Sequence, residues 1–268
     1  MTQSTNPMEI FKLLDRSNCR KCNELTCMAF AAAVFKGQRQ LAECPHLQSH
    51  VVEHFGEKSE GRATNELELE STLEQLKTQA ASVDLCSAAR KLGAAFSDSK
   101  LTIRILGKNF TLDSNGNASS DIHIHPWVMI PVLNYVILSK GTAVSGRWMP
   151  FKELKDGKTW YGLFEQRCEK PLKRIADTHT DLFEDIIQVF NGKQVENHYQ
   201  SDVSFVLLPL PKVPILICYW KQEEDIESSL NLFFDSTVED HLNVEFIYLL
   251  GTGMVMMFEK IALRHAFR

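Results

Sequence analysis

Four of the seven cysteines, Cys19, Cys22, Cys27 and Cys44, fall within twenty-six residues in the pattern C-x2-C-x4-C-x16-C-P, while Cys86, Cys168 and Cys218 are scattered. Free cysteine otherwise behaves as a small buried hydrophobe, so clustering of this kind needs a chemical reason. Four thiolates are the usual ligand set of a 4Fe–4S cluster, and a proline directly after the last cysteine also occurs in bacterial ferredoxins. Structural zinc takes four cysteines too, but its ligands usually come as two short pairs, and only Cys19 and Cys22 form one here. Zinc and a metal-free arrangement remain the alternatives at this point. Two disulfides would need an oxidising compartment, which nothing in the sequence indicates.

The surroundings of the cysteines read as short helices. Asn6-Pro7 opens a first helix with Ile10, Leu13 and Leu14 on its apolar face, ending near Ser17-Asn18. The apolar run from Cys27 to Lys36 reads as a second, with Gly37 at its C-terminal cap, so the Cys27 thiolate would sit near helix N-terminal amides. A third short helix is expected over Leu47–Phe55, on which His46, His50 and His54 form a stripe. That stripe reads mainly as a polar helix face, with a second metal as the alternative. Lys12, Arg16, Arg20, Lys21, Lys36 and Arg39 outnumber Glu9, Asp15, Glu24 and Glu43, a balance that suits either an anionic cluster or a solvated surface. A module of this size has little apolar core, and a cluster would serve as its staple.

With Phe30-Ala31, Gly37 and Cys44-Pro45 in place, the first 55 or so residues resemble the small 4Fe–4S domain of the corrinoid iron–sulfur protein large subunit. The resemblance implies Cys19, Cys22, Cys27 and Cys44 as ligands of a 4Fe–4S cluster. Many members of that family have Gly after the second cysteine; Asn23 stands there in this chain and also tolerates a left-handed turn.

Residues 56–66 are polar, with two glycines and no apolar rhythm, which marks a boundary. The expected organisation is a cluster domain over 1–58, a linker and connecting helix over 59–79, and a second domain over 80–268. In the connecting helix Leu69, Leu73, Leu76, Ala80 and Val83 step by three and four, and Asp84–Leu92 reads as another helix closed by Gly93. Leu101–Leu106 and Phe110–Leu112 flank Gly107-Lys108-Asn109 as a hairpin, and Trp127–Leu138 is a buried helix containing Pro131. Pro171–Asn191 reads as one helix with Leu172, Ile175, Leu182, Ile186, Val189 and Phe190 inward. Val203–Leu208, Val213–Trp220 and Leu230–Phe234 read as strands, and His241–Ala266 as a closing helix. Strands segregated from helices and joined by hairpins predict an α+β fold with an antiparallel sheet.

Ser145-Gly-Arg-Trp148, Phe151-Lys-Glu-Leu154, Ser204-Phe205, Leu208–Pro214, Tyr219-Trp220 and Leu232–Ser236 resemble the family called domain of unknown function 3786. The likeness runs from about Ala80 to the C-terminus. It implies an architecture in which this domain is joined to the same cluster module, in anaerobes and beside corrinoid-dependent methyl-transfer systems. It implies no reaction.

A net charge of −5 and a pI near 6.0, without a basic stripe, argue against a nucleic-acid binder. The first residues show no secretory pattern, and the longest apolar runs, Val128–Leu138 and Ile247–Phe258, are shorter than a membrane span. A soluble, cytoplasmic protein is expected; oligomeric state is not legible. No P-loop or nucleophile elbow occurs, and Gly251-Thr-Gly253 is too short for a dinucleotide fingerprint. His123 and His125 read as a helix-entry loop, with a metal pair as the alternative. Cys86, Cys168 and Cys218 read as packing residues, and Glu223-Glu-Asp225 with Glu227 as a solvated loop that could dock a basic partner. Trp148, Phe151, Trp160, Tyr161 and Trp220 read as core or, alternatively, as a pocket lining. The expected function is electron transfer, or accessory service to a redox partner such as a corrinoid protein or methyltransferase. The alternatives are a redox-responsive regulatory or scaffold protein with a structural cluster, and an enzyme with its site in the second domain.

Overall fold

Proline and capping chemistry set the first elements. The computed structural model describes residues 7–35, 39–47, 69–122, 125–196, 198–224 and 226–265. Helix α1 (Pro7–Leu13) begins at a proline, and α2 (Cys27–Phe35) carries an almost wholly apolar sequence. A 3-10 turn follows over Leu41–Glu43. Ile10, Leu14, Phe30, Ala31, Val34 and Leu41 pack together, and Cys22, Cys27 and Cys44 complete that core. The α1 reading needs correcting. The helix stops at Leu13, four residues earlier than expected, and Leu13 is 42% exposed while Ile10 and Leu14 point inward. The expected helix over Leu47–Phe55, Gly37 and the polar boundary at 56–66 lie almost entirely outside the described residues.

The chain divides into two units, Met1–Leu69 and Glu70–Arg268. The second opens with α3 (residues 69–81), which buries Leu76 and Ala80, and α4 (Leu85–Leu92). The Asp84 side chain caps α4 at the Cys86 N–H, 3.1 Å away, and Gly93 ends it at φ 68°, where glycine carries no Cβ penalty. A four-stranded meander follows: β1 (Ala95–Ser97), β2 (Lys100–Ile105), β3 (Lys108–Leu112) and β4 (Ala118–Ser120). The β2–β3 turn is Leu106-Gly107, at φ 49° and 75°, so Lys108 and Asn109 belong to the strand rather than to the turn. Two left-handed residues in succession suit the twist of a hairpin.

Helix α5 (Pro126–Leu138) leads to an edge strand, β5 (Trp148–Pro150), and then α6 (Gly157–Phe164). A π-helical turn over Glu165–Glu169 joins α6 to α7 (Lys170–Thr178), and α8 (Thr180–Val189) follows. The single helix expected over Pro171–Asn191 is therefore two. The break falls at His179, at φ −145° and ψ 70°, and the rotation it introduces leaves Val189 57% exposed and puts Phe183 and Ile187 inside. The second sheet runs in the order β5-β9-β8-β7-β6, with β6 (Lys193–Gln194), β7 (Val203–Leu210), β8 (Val213–Trp220) and β9 (Ser229–Asp235). Every pairing in both sheets is antiparallel, so the α+β expectation holds. Pro209 is tolerated in β7 because the register shifts between Leu207 and Leu210 and β6 pairs only as far as Val206.

Helix α9 (Val244–His265) closes the chain and packs against α5, α6, α7 and α8. It starts three residues later than expected and continues through Gly251-Thr-Gly253 without a break. Val244–Arg264 is long and apolar enough by composition to cross a membrane, a longer stretch than the apolar run read from the sequence. Half of it is buried against the protein's own helices, as in a core helix.

Candidate metal centre

The cysteine module is ordered by helix caps. A helix leaves its first amides without intrahelical partners. At α2 the Ala29 N–H donates to Thr26 Oγ1 at 3.0 Å, and the Cys27 N–H donates to Asn18 Oδ1 at 2.8 Å. Asn18 thus ties the residue before the first cysteine to the third. Arg16, Asn18, Arg20 and Asn23 all lie at positive φ, between 49° and 63°. Left-handed residues set among ordinary ones gather successive N–H groups into concavities that accept anions, including at iron–sulfur sites. Asn23, directly after the second cysteine, adopts a left-handed conformation, which asparagine tolerates. Cys44 is placed differently. The Gln40 N–H donates to Glu43 Oε1 at 2.8 Å to start the 3-10 turn, and Cys44 leaves it extended, at φ −84° and ψ 111°, as a residue before proline should.

Three of the thiols are covered: Cys22, Cys27 and Cys44 are 7%, 8% and 8% exposed, and Cys19 is half-buried. All seven cysteines are free. Burial raises the pKa of the Cys44 thiol, the His46 amide lowers it by hydrogen bonding, and the charges of Cys22, Cys27 and Cys19 raise it further. The four sulfurs are therefore within electrostatic reach of one another. Among the described residues, however, no three His, Cys, Asp or Glu side chains converge as ligands of a single metal ion. Four soft thiol donors, three of them in one core, fit a soft, thiolate-ligated metal group.

The other sequence candidates separate. His46 Nδ1 lies 3.9 Å from the Asp15 carboxylate, and His50 and His54 are outside the described residues. His123 is outside them as well, while His125 caps α5, its Nδ1 accepting from the Trp127 N–H at 3.3 Å. Cys168 and Cys218 are fully buried packing residues, and burial pushes the Cys168 thiol up to about 12. Cys86 is not packed; it lies exposed on α4.

The aromatic residues do not share a pocket. Phe151 is fully buried and stacks on Phe164 at 4.0 Å, Trp160 meets Tyr248 at 5.4 Å, and Trp148 and Trp220 lie against a small cluster around Leu216, Cys218 and Phe233. A shallow depression of about 630 Å³ near Met149, Lys152, Asp156 and Thr159 has no aromatic lining. Glu223 and Glu224 are exposed, and Asp225 is outside the described residues.

Two buried carboxylates escaped the sequence reading because their partners are far away in the chain. Asp235 accepts from Gly146 N–H at 2.7 Å, from Ser145 and from Thr237, and so ties the loop before β5 to the end of β9. Glu169, on the π-turn, accepts from the Leu232 N–H at 3.0 Å and from Tyr161 Oη at 3.3 Å. Leu232 lies just beyond the part of β9 that β5 covers, so the carboxylate replaces a missing strand partner.

Known families account for both units. Residues 14–46 match the family described as "Putative Fe-S cluster", and residues 84–257, well over half of the chain, match "Domain of unknown function (DUF3786)". Three curated relatives carry the name acetyl-CoA decarbonylase/synthase complex subunit gamma, and the matches fall in the N-terminal part of this chain. That of Methanothermobacter thermautotrophicus is 45% identical over 40 residues, 15% of this chain and 9% of the relative. That of Methanocaldococcus jannaschii is 37% identical over 49 residues, 18% of this chain and 10% of the relative. The chain thus spans about a tenth of the length of these relatives. No solved structure matches the chain. By its longest match the chain belongs to the DUF3786 family, and it carries an iron–sulfur segment ahead of that domain.

Proposed function

We propose that Cys19, Cys22, Cys27 and Cys44 bind one 4Fe–4S cluster, and that the protein passes single electrons to a second redox protein or serves as its accessory. The observation that carries this reading is the presence of Cys22, Cys27 and Cys44 in one core with Cys19 half-buried, inside the segment that matches the iron–sulfur family. Such a cluster, when bound, supplies one-electron redox chemistry. The chain's own part is to hold four deprotonated thiols, to cover three of them with Ile10, Phe30 and Leu41, and to set α2 and its caps beside them. Four cysteine ligands leave no open iron position for a substrate, which favours electron transfer over Lewis-acid catalysis.

The partner is a protein of a corrinoid-dependent methyl-transfer system in an anaerobe. The relatives named as subunits of a multi-subunit complex support this. The cluster module occupies residues 1–58, residues 59–79 connect, and the DUF3786 domain over 80–268 recognises the partner. Burial of half of α9 supports a soluble protein.

The test is a redox titration of the anaerobically purified protein followed by electron paramagnetic resonance. A reversible one-electron signal is expected. A second reading, a structural cluster in a regulatory or scaffold protein, draws on the presence of Cys22, Cys27 and Cys44 within the module's core. A cluster that is redox-inert but needed for folding would favour it.

A further inference from the structure

The four thiols are unequally covered, and the difference has a direction. Cys22, Cys27 and Cys44 lie in the core, whereas Cys19 is half-buried. The shortest way between solvent and a group held by these residues passes Cys19. Around it Lys12, Arg16, Arg20 and Lys21 are all exposed. Among the described side chains the nearby carboxylates are engaged elsewhere: Glu24 and Glu43 both face Arg39, at 3.6 Å and 3.1 Å, and Asp15 faces His46. Among the described residues no ion pair reaches any of the four cations; Arg16 lies over the Phe11 ring, 5.5 Å from its centroid. Within the same stretch Leu13, Leu25 and Met28 are 42%, 73% and 37% exposed. Unpaired cations mixed with exposed Leu and Met make a surface that steers and then holds an oppositely charged partner.

We propose that the Cys19 face is the electron-exchange surface, and that the protein docking there presents an acidic rim around its own redox group. This rests on the cluster reading above and adds to it a site of exit and the charge of the partner.

The test uses the reduced, cluster-loaded full chain and two small oxidants of opposite charge, the anion cobalt(III)–EDTA and the cation hexaamminecobalt(III). In each reaction the protein loses one electron and cobalt(III) becomes cobalt(II). The anion is expected to react faster, with a rate falling about tenfold from low to high salt as the cations are screened. Cobalt hexaammine should show the opposite trend. Lys12→Glu, on α1 and outside the ligand loop, should narrow the rate difference between the two oxidants while iron content stays unchanged. A readout independent of electron transfer is amide line broadening by the redox-inert anion hexacyanochromate(III), which should fall on residues 12–28 and weaken in the Lys12→Glu variant. An intact, reducible cluster whose oxidation is indifferent to oxidant charge and salt overturns this proposal alone. A chain that holds no reducible cluster overturns the proposed function and this surface with it.

Discussion

The Cys27 backbone amide donates to Asn18 Oδ1 at 2.8 Å, so one side chain both caps α2 and fixes the spacing between the first cysteine pair and the third cysteine. Asn18 also sits at φ 49°, a conformation that asparagine tolerates better than most residues. Asn18→Ala removes the acceptor and strains the backbone, at a cost of about 1 kcal/mol or more. The loaded variant should lose iron to a chelator faster than the wild type. Asn18→Asp, which keeps the acceptor but adds a negative charge beside the thiolates, should fall between them. Equal rates of loss for all three proteins would remove Asn18 from the account.

Asp235 joins two distant segments and gives the second unit an acid-sensitive point. Burial by itself raises its pKa, but hydrogen bonds from Thr237 and Ser145 outweigh that and hold it below the ordinary carboxylate value. A carboxyl with a depressed folded-state pKa stabilises above its unfolded pKa, and that contribution is lost as pH falls through the folded value. Asp235→Asn cannot satisfy the same donors and should cost about 3 kcal/mol at neutral pH. Urea unfolding across the acid range should show a shallower pH dependence in the variant than in the wild type.

Glu169 behaves in the opposite way. Burial raises its pKa, only partly offset by the Leu232 amide and Tyr161. Its contribution is therefore fully present below the unfolded pKa and lost as pH rises through the folded one. Glu169→Gln keeps an acceptor for the Leu232 N–H without a buried charge, and should match or exceed wild-type stability at neutral pH. Glu169→Ala leaves that amide unsatisfied and should cost about 1–3 kcal/mol. Thermal melts of the two variants that coincide would show that the hydrogen bond to Leu232 is unimportant.

How far the sequence could be read depended on the range of each interaction. The cysteine pattern, the Gly93 end of α4 and the apolar strands β7, β8 and β9 are local signals, and each was legible. The Leu106-Gly107 turn was misplaced because leucine gives no warning that it will adopt a left-handed conformation. The break at His179 has no Gly or Pro at it; the packing of α7 and α8 imposes it. The strands β1 and β4 are three residues each and bury none of them fully, too short to show a rhythm. Asn18, Asp235 and Glu169 were missed because the partners that set their roles, Cys27, Ser145 and Leu232, lie 9, 90 and 63 positions away, and no single-sequence pattern links such residues.

Close approach explains the glycines of α9. A Cβ at Gly253 would meet the Trp127 carbonyl oxygen at 3.0 Å, and one at Gly251 would meet Cys168 Sγ at 3.2 Å and Phe164 at 3.3 Å. Alanine is the better helix former by about 1 kcal/mol, but overpacking costs about 1–3 kcal/mol. Gly253→Ala, which faces backbone, should therefore lower the urea midpoint. Gly251→Ala, which faces side chains that can shift, should lower it less. A rise in both midpoints would contradict the close packing of α5 and α6 on α9.

Metal analysis of the anaerobically purified full chain tests the central claim most directly, with iron, acid-labile sulfide and zinc measured together. About four irons and four sulfides per chain are expected, as a cubane cluster requires. Serine at Cys19, Cys22, Cys27 or Cys44 should abolish or alter that content, because a hydroxyl is a hard ligand with a high pKa. Serine at Cys86, Cys168 or Cys218 should leave it intact. One zinc per chain with no sulfide would contradict the account, as would full iron content in the Cys44→Ser variant.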